Sequence, residues 1–179
     1  MCIIIVKNND KVIKNSILKR SANINPDGLG VIWLDTFKVE YFDSSQFNVL
    51  KTKRKFIAHF RYATVGAVDR SNLHPFKMNK QKKYLFHNGT INFLGDEVES
   101  DTKQLSVLLD NMQSSFHKTF LGYFDSRFVL VDLKTKTFEI FNRKLWIKSD
   151  GILYSKANVL DQKKHLKKFC ENLTAYYLI

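Results

Sequence analysis

The chain has 179 residues, 44% hydrophobic and 26% charged, the balance of a soluble globular protein large enough to bury a core without staples. No apolar run approaches the ~18 residues that span a bilayer, and the run at 3–6 is too short for a signal segment, so no membrane partner and a cytosolic location are expected. Two cysteines, Cys2 and Cys170, exclude a disulfide framework, while a formal charge of +12 asks for an acidic or polyanionic neighbour or a solvated basic face.

Residues 3–6, Ile-Ile-Ile-Val, are β-branched and read as a buried strand. Methionine is removed when the next residue is small, so Cys2 is expected to own both a thiol and a free α-amine. Such an amine titrates near pH ~7.7–8.0 and can serve as a base for the thiol. Residues 23–30, Asn-Ile-Asn-Pro-Asp-Gly-Leu-Gly, form a turn signal leading into a strand over 31–34. A hairpin through Asp35-Thr36 then pairs that strand with 39–42, and a short helix over 44–50 is capped by Asp43 or Ser44.

Residues 56–63 are rich in aromatic and β-favouring side chains and predict a strand. It carries Arg61 where an apolar residue would be easier to bury, which is how a scaffold presents a carboxylate-binding fork at a loop mouth. An irregular polar segment with Asn72, His74 and Pro75 follows. Basic runs at 51–55 and 77–83, the second with four lysines, flank this stretch. They can face phosphate, solvent or an acidic partner. Nucleic-acid modules interleave stacking aromatics or carry a named motif, and neither is present, so nucleic acid is a minor expectation.

Residues 84–87 form a strand that runs into Asn88-Gly89-Thr90. Locally, Asn-Gly between apolar runs reads as a hairpin turn. The same pair could instead aim a side-chain amide and a backbone N–H together as an oxyanion hole. Ser100-Asp101-Thr102 caps a helix bearing Leu105, Leu108, Leu109 and Met112, with Asp101 as the candidate N-cap. Strands at 128–133 and 138–141, joined through 134–136, precede another at 151–154 that ends at Ser155-Lys156. A closing helix over 161–177 makes Cys170 a small buried hydrophobe. Strands, a helix, strands and a helix in that order fit two antiparallel sheets with helices outside, an α+β domain spanning 1–179. Metal binding through His59, His74 and His87 lacks the usual ligand spacing.

Taken in order, Met-Cys at 1–2, Asn-Pro-Asp-Gly-Leu-Gly at 25–30, His-Phe-Arg-Tyr-Ala-Thr-Val-Gly at 59–66, Asn-Leu-His-Pro-Phe at 72–76, His-Asn-Gly-Thr-Ile at 87–91 and Ser-Asp-Thr at 100–102 match one pattern. The chain resembles the class II glutamine amidotransferases, the N-terminal-nucleophile (Ntn) glutaminase domains. The resemblance implies a four-layer α-β-β-α sandwich of two mainly antiparallel sheets, with Cys2 as the nucleophile once Met1 is gone. It implies an oxyanion hole from the Asn88 side chain and the Gly89 N–H. It places the substrate α-carboxylate on Arg61 and its α-ammonium on Asp101, with His87 and Thr64 framing the pocket. Glutamine would be the substrate, no cofactor would be needed, and ammonia would pass to a separate synthetase partner. The chain departs from the family's pattern at Ile3, Tyr62 and Lys103, which stand where glycine, tryptophan and an acid are common. Lys103 reverses a charge beside Asp101. Two other functions stay open, a γ-glutamyl amide hydrolase and a basic module that contacts nucleic acid on the same fold.

Overall fold

The computed structural model describes residues 2–160. Strand β1, Ile3–Lys7, is fully buried along its length, as expected of a continuous β-branched run covered on both faces. Helix α1, Asn15–Ile24, follows, then β2, Leu29–Trp33, and β3, Val39–Phe42, as the expected hairpin. A 3-10 segment over Ser44–Leu50 takes the place of the short helix, and the Gln46 side chain accepts the N–H of Asp43 at 3.0 Å. The next strand, β4, is Phe56–Phe60, so it stops short of the predicted 63 and leaves Arg61 just beyond its end.

The second half holds β5, Phe76–Met78, β6, Lys83–Asn88, α2, Asp101–Asn111, α3, Ser114–Gly122, β7, Arg127–Asp132, β8, Thr137–Phe141, β9, Ile147–Ser149, and β10, Ile152–Tyr154. One sheet runs β3-β2-β4-β1-β10-β9 and the other β5-β6-β7-β8, with every pairing antiparallel. Helices α1 and α3 and strands β5 and β9 are additions to the expected order of elements. The closing helix expected over 161–177, with Cys170, lies outside the described residues.

Alternation along the strands sorts their side chains into separate clusters. Ile3 and Ile5 of β1 join Val31, Ala58, Phe60 and Tyr154 with Leu18 and Ala22 of α1. Ile4 and Val6 join Ile32 and Ile57 of their own sheet with Phe86, Val129, Val131 and Ile140 of the other. Leu85, Phe128 and Leu130 pack with Leu105 and Leu109 of α2 and Leu121 of α3. Each core strand is therefore apolar on both faces, which is why the strands were readable as short unbroken runs. Lys7 is a charged exception beside the buried polar residues His59, His87 and Asn88: its side chain is buried and its ammonium donates to the carbonyls of Asn9, Lys53 and Arg54 at 2.8, 3.2 and 2.7 Å. Three carbonyls replace its water shell and close the far end of β1.

Candidate active site

The register of β1 against β4 pairs Ile3 with Phe60 and Ile4 with His59, so Cys2 falls opposite Arg61. Alternation turns Cys2 to the same side as Ile4 and Val6, toward the second sheet. Its Sγ lies 3.5 Å from both the N–H and the carbonyl of Tyr62, donating to one and accepting from the other. Burial pushes the thiol pKa up, while the Tyr62 backbone and Arg61 pull it down and Asp101 pushes it up. The thiol therefore rests protonated and needs a base to become a nucleophile.

Arg61 is 2% exposed. Its Nη2 donates to the carbonyls of Val65 and Gly66, both at 3.4 Å, and its buried Nη1 has no partner. Among the described residues the three ion pairs are Lys38–Glu40, Arg54–Asp35 and Lys103–Glu99, so this buried guanidinium meets no carboxylate of the protein. Its backbone is braced by Gly28, whose carbonyl accepts the Arg61 N–H at 2.9 Å, and by Asp27, whose N–H donates to the Arg61 carbonyl at 3.1 Å. Asp27 Oδ2 also accepts the N–H of Ala63 at 2.7 Å. The Asn-Pro-Asp-Gly turn thus shapes the loop that follows β4. Thr64 is exposed on that loop.

Asp101 approaches from the start of α2. It is the first residue of the helix rather than its cap, since the Ser100 hydroxyl accepts the Lys103 N–H at 3.2 Å. The Asp101 carboxylate is buried and accepts from the N–H groups of Ile91 and Thr102 at 2.8 and 2.7 Å. A charged carboxylate at a helix N-terminus is favoured by the helix dipole. Lys103 turns to Glu99 at 2.9 Å. Loops 62–68 and 95–100 are then stitched together: Gly66 donates to the Asp96 carbonyl at 3.0 Å and Ala67 to that of Val98 at 3.2 Å. Asn72 completes the stitching, donating to the carbonyls of Ala67 and Val98 at 3.2 and 2.7 Å and accepting the Ser100 N–H at 2.9 Å.

Asn88 ends β6 and shares the face of Phe86, so it points toward the first sheet. The chain after it enters the loop to α2, and β6 pairs with β5 and β7, so Asn88-Gly89 is not the turn of a hairpin. The local reading failed because the chain leaves Asn88-Gly89 for α2 and α3 and only then returns as β7 to pair with β6. Asn88 Nδ2 lies 2.8 Å from Ser155 Oγ, while Oδ1 is buried with no partner. A β-carbon at Gly89 would lie 1.9 Å from Ser126 Oγ, so only glycine fits there. His87 alternates to the opposite face, with Nδ1 2.8 Å from Thr102 Oγ1 and its ring stacked on Phe128 at 4.6 Å. It supports the start of α2 from behind. Burial lowers its pKa and keeps the ring neutral.

His59 and His74 form a buried stack, with ring centroids 3.9 Å apart, and His59 Nε2 lies 3.1 Å from the His87 carbonyl. Among the described residues no group of three His, Cys, Asp or Glu could hold a metal ion. Lys156, just past Ser155, is close enough to Cys2 for a thiolate there to raise its pKa, while burial lowers it more. Sequence reasoning assigned no chemistry to Lys156, Ser155 or Asn72. The stitching by Asn72 and the bridging by Ser155 leave no periodic signal. A groove of about 560 Å³ borders Asp27 and Gly28 and includes Tyr41, Asp69 and Arg70, but Cys2 does not line it.

Both basic runs sit away from these residues. Run 51–55 lies at the start of β4 and run 77–83 leads into the start of β6, the strand ends opposite Arg61 and Asn88. Part of their charge is consumed internally, since Arg54 forks onto Asp35 through two 2.8 Å bonds and stacks 4.0 Å over the Trp33 ring. No helix among the described residues is long and apolar enough to cross a membrane.

No family model and no curated protein matches the chain. A solved structure does: glutamine phosphoribosylpyrophosphate (PRPP) amidotransferase from B. subtilis, complexed with ADP and GMP, is similar at a TM-score of 0.57 and 16% identity. The match covers 89% of this chain but 42% of that protein, so the chain spans less than half of its length. At this identity the shared feature is the fold, and the chain has the fold of the matched part of a glutamine amidotransferase.

Proposed function

We propose that the protein is a class II glutamine amidotransferase domain that hydrolyses the side-chain amide of glutamine. The observation that carries this reading is Arg61, a buried guanidinium with no protein carboxylate and an unpartnered Nη1, opposite Cys2 in strand register. A buried cation of this kind is costly unless an anion arrives to meet it. The fold likeness and the α-carboxylate of an amino acid supply the rest of the argument. In this reading the two sheets and their helices form the four-layer α-β-β-α sandwich of Ntn hydrolases, and residues 1–179 act as one domain in the cytosol.

Removal of Met1 frees the α-amine of Cys2. That amine takes the thiol proton as Sγ attacks the γ-carboxamide carbon, forming a C–S bond and a tetrahedral oxyanion. The Asn88 side chain and the Gly89 N–H hold the oxyanion. Losing one such donor typically costs ~10²–10³ in kcat. The amine returns the proton to the leaving nitrogen, the C–N bond breaks and ammonia departs. Water then cleaves the thioester to glutamate and restores the thiol. Arg61 holds the substrate carboxylate and Asp101 its ammonium, using lone pairs left over from Ile91 and Thr102. Thr64 borders the pocket, and His87 braces the start of α2, and so Asp101, from the opposite face of β6. Ammonia passes to a separate synthetase.

Intact mass spectrometry after incubation with a diazo-ketone analogue of glutamine tests this directly. The expected product lacks Met1 and carries one adduct on Cys2. A Met-retaining, unmodified protein that releases no glutamate overturns the reading. Glutamine compared with γ-glutamyl amides of larger amines separates the glutaminase from a γ-glutamyl amide hydrolase, which would favour the latter substrates.

A further inference from the structure

We infer that Ser155 is a positioning residue that aims the Asn88 amide N–H at the mouth beside Cys2. The inference rests on the amidase reading above and adds a residue to it. Ser155 follows β10 and is fully buried. Its N–H donates to the Ile4 carbonyl at 2.9 Å, and its Oγ accepts the Ile4 N–H at 2.7 Å. One residue therefore holds both main-chain groups of Ile4, two positions from Cys2. The same Oγ lies 2.8 Å from the Asn88 amide. A single hydroxyl joins the strand of the thiol to the strand of the oxyanion donor, across the gap between two sheets.

The hydrogen-bond inventory of this group decides which way the amide faces. Amide nitrogen and oxygen have the same shape and are assigned by their partners. With Nδ2 on Ser155, the hydroxyl receives two donors and Asn88 Oδ1 is buried with no partner. With the amide turned, Oγ still accepts from Ile4 and its own O–H donates to Oδ1. Nδ2 then fills the unpartnered position and presents a donor that only an incoming acceptor satisfies. The second arrangement uses every group at Ser155 and leaves open the one bond an oxyanion needs. An alanine at 155 removes the hydrogen that enforces it, and the amide is free to face the site with its oxygen.

A double-mutant cycle on glutamine hydrolysis tests this, with unfolding midpoints as the check on folding. Ser155→Ala is expected to lower kcat by about 10- to 100-fold with KM changed by no more than about threefold, since the lost bond forms in the transition state. Asn88→Ala is expected to lose more. The decisive comparison is Asn88→Ala/Ser155→Ala, which should match Asn88→Ala alone, because Ser155 acts through Asn88. Ser155→Cys keeps a weaker donor, gives the same pattern with a smaller loss, and serves if alanine prevents folding. Multiplicative losses in an active wild type, or a change in KM alone, overturn the role of Ser155. A correctly processed wild type without amidase activity overturns this inference and the amidase reading together.

Discussion

Gly66 lies against the backbone of Ser100 so closely that a β-carbon on Gly66 would sit 2.5 Å from the Ser100 nitrogen. The contact joins the loop that receives the Arg61 fork to the loop that delivers Asp101. It also uses a positive φ of 77°, which favours glycine. The two charges proposed to grip a zwitterionic amino acid are therefore held at a spacing set by main chain against main chain.

Gly66→Ala should separate these loops. Strain at positive φ and the backbone clash together are expected to cost about 2–4 kcal/mol, read as a lower denaturation midpoint in urea. KM for glutamine should rise more than kcat falls, because substrate recognition is displaced and the thiol is not.

Arg61→Lys should cost about 100-fold or more in kcat/KM for glutamine. A lysine keeps the charge but loses the planar fork that meets a carboxylate through two parallel bonds. Comparing glutamine with an amide lacking the α-carboxylate gives the sharper measure. The preference for glutamine should collapse in the variant, and an unchanged preference would remove Arg61 from recognition.

Lys103→Ala should change kcat/KM by less than about twofold. Its ammonium is engaged with Glu99 at 2.9 Å on a partly exposed surface, where such pairs contribute ~0.2–1 kcal/mol. Steady-state kinetics decide it. A large gain in glutamine affinity would show that the reversed charge acts on Asp101 after all.

Acid should destabilise the fold well before its carboxylates titrate. Burial holds His59 down to about 3, with His74 and His87 also below their usual value of ~6.5. The unfolded chain then binds more protons than the folded one between about pH 3 and ~6.5. Stability contributed by the neutral rings is full above ~6.5 and falls as pH drops through that window. His59 and His87 each contribute roughly 2 kcal/mol of loss by pH 5, and His74 acts in the same direction. Melting temperature measured from pH 8 to 4 checks the sign. His74→Phe should flatten the curve.

The strands were legible because burial on both faces leaves runs such as Ile-Ile-Ile-Val with nothing polar to interrupt them. Helix α1 was not, because its apolar face runs for only ten residues, buries only Leu18, Ser21 and Ala22, and has no capping side chain to mark its start. Helix α3 buries His117 and Leu121 alone. Arg61 announced itself as a charge where the pattern asked for an apolar residue. Asn88-Gly89 misled locally, since a turn signal does not say whether the next strand follows at once or only after two helices. Asn72 and Ser155 act through side-chain bonds to groups distant in sequence, Asn72 to Val98 and Ser100 and Ser155 to Ile4 and Asn88, and their meaning exists only in three dimensions.

Lys7 anchors the strand whose end carries the proposed nucleophile. Ends of chains fray, and a reactive group on one would spend most of its time elsewhere. Here the far end of β1 is locked by three carbonyls around a buried ammonium, and its middle by the two bonds from Ser155 to Ile4. The thiol is the tip of a beam clamped at two points. The entropy of holding it still is lost when the protein folds, so none of that cost falls on the substrate's own binding energy.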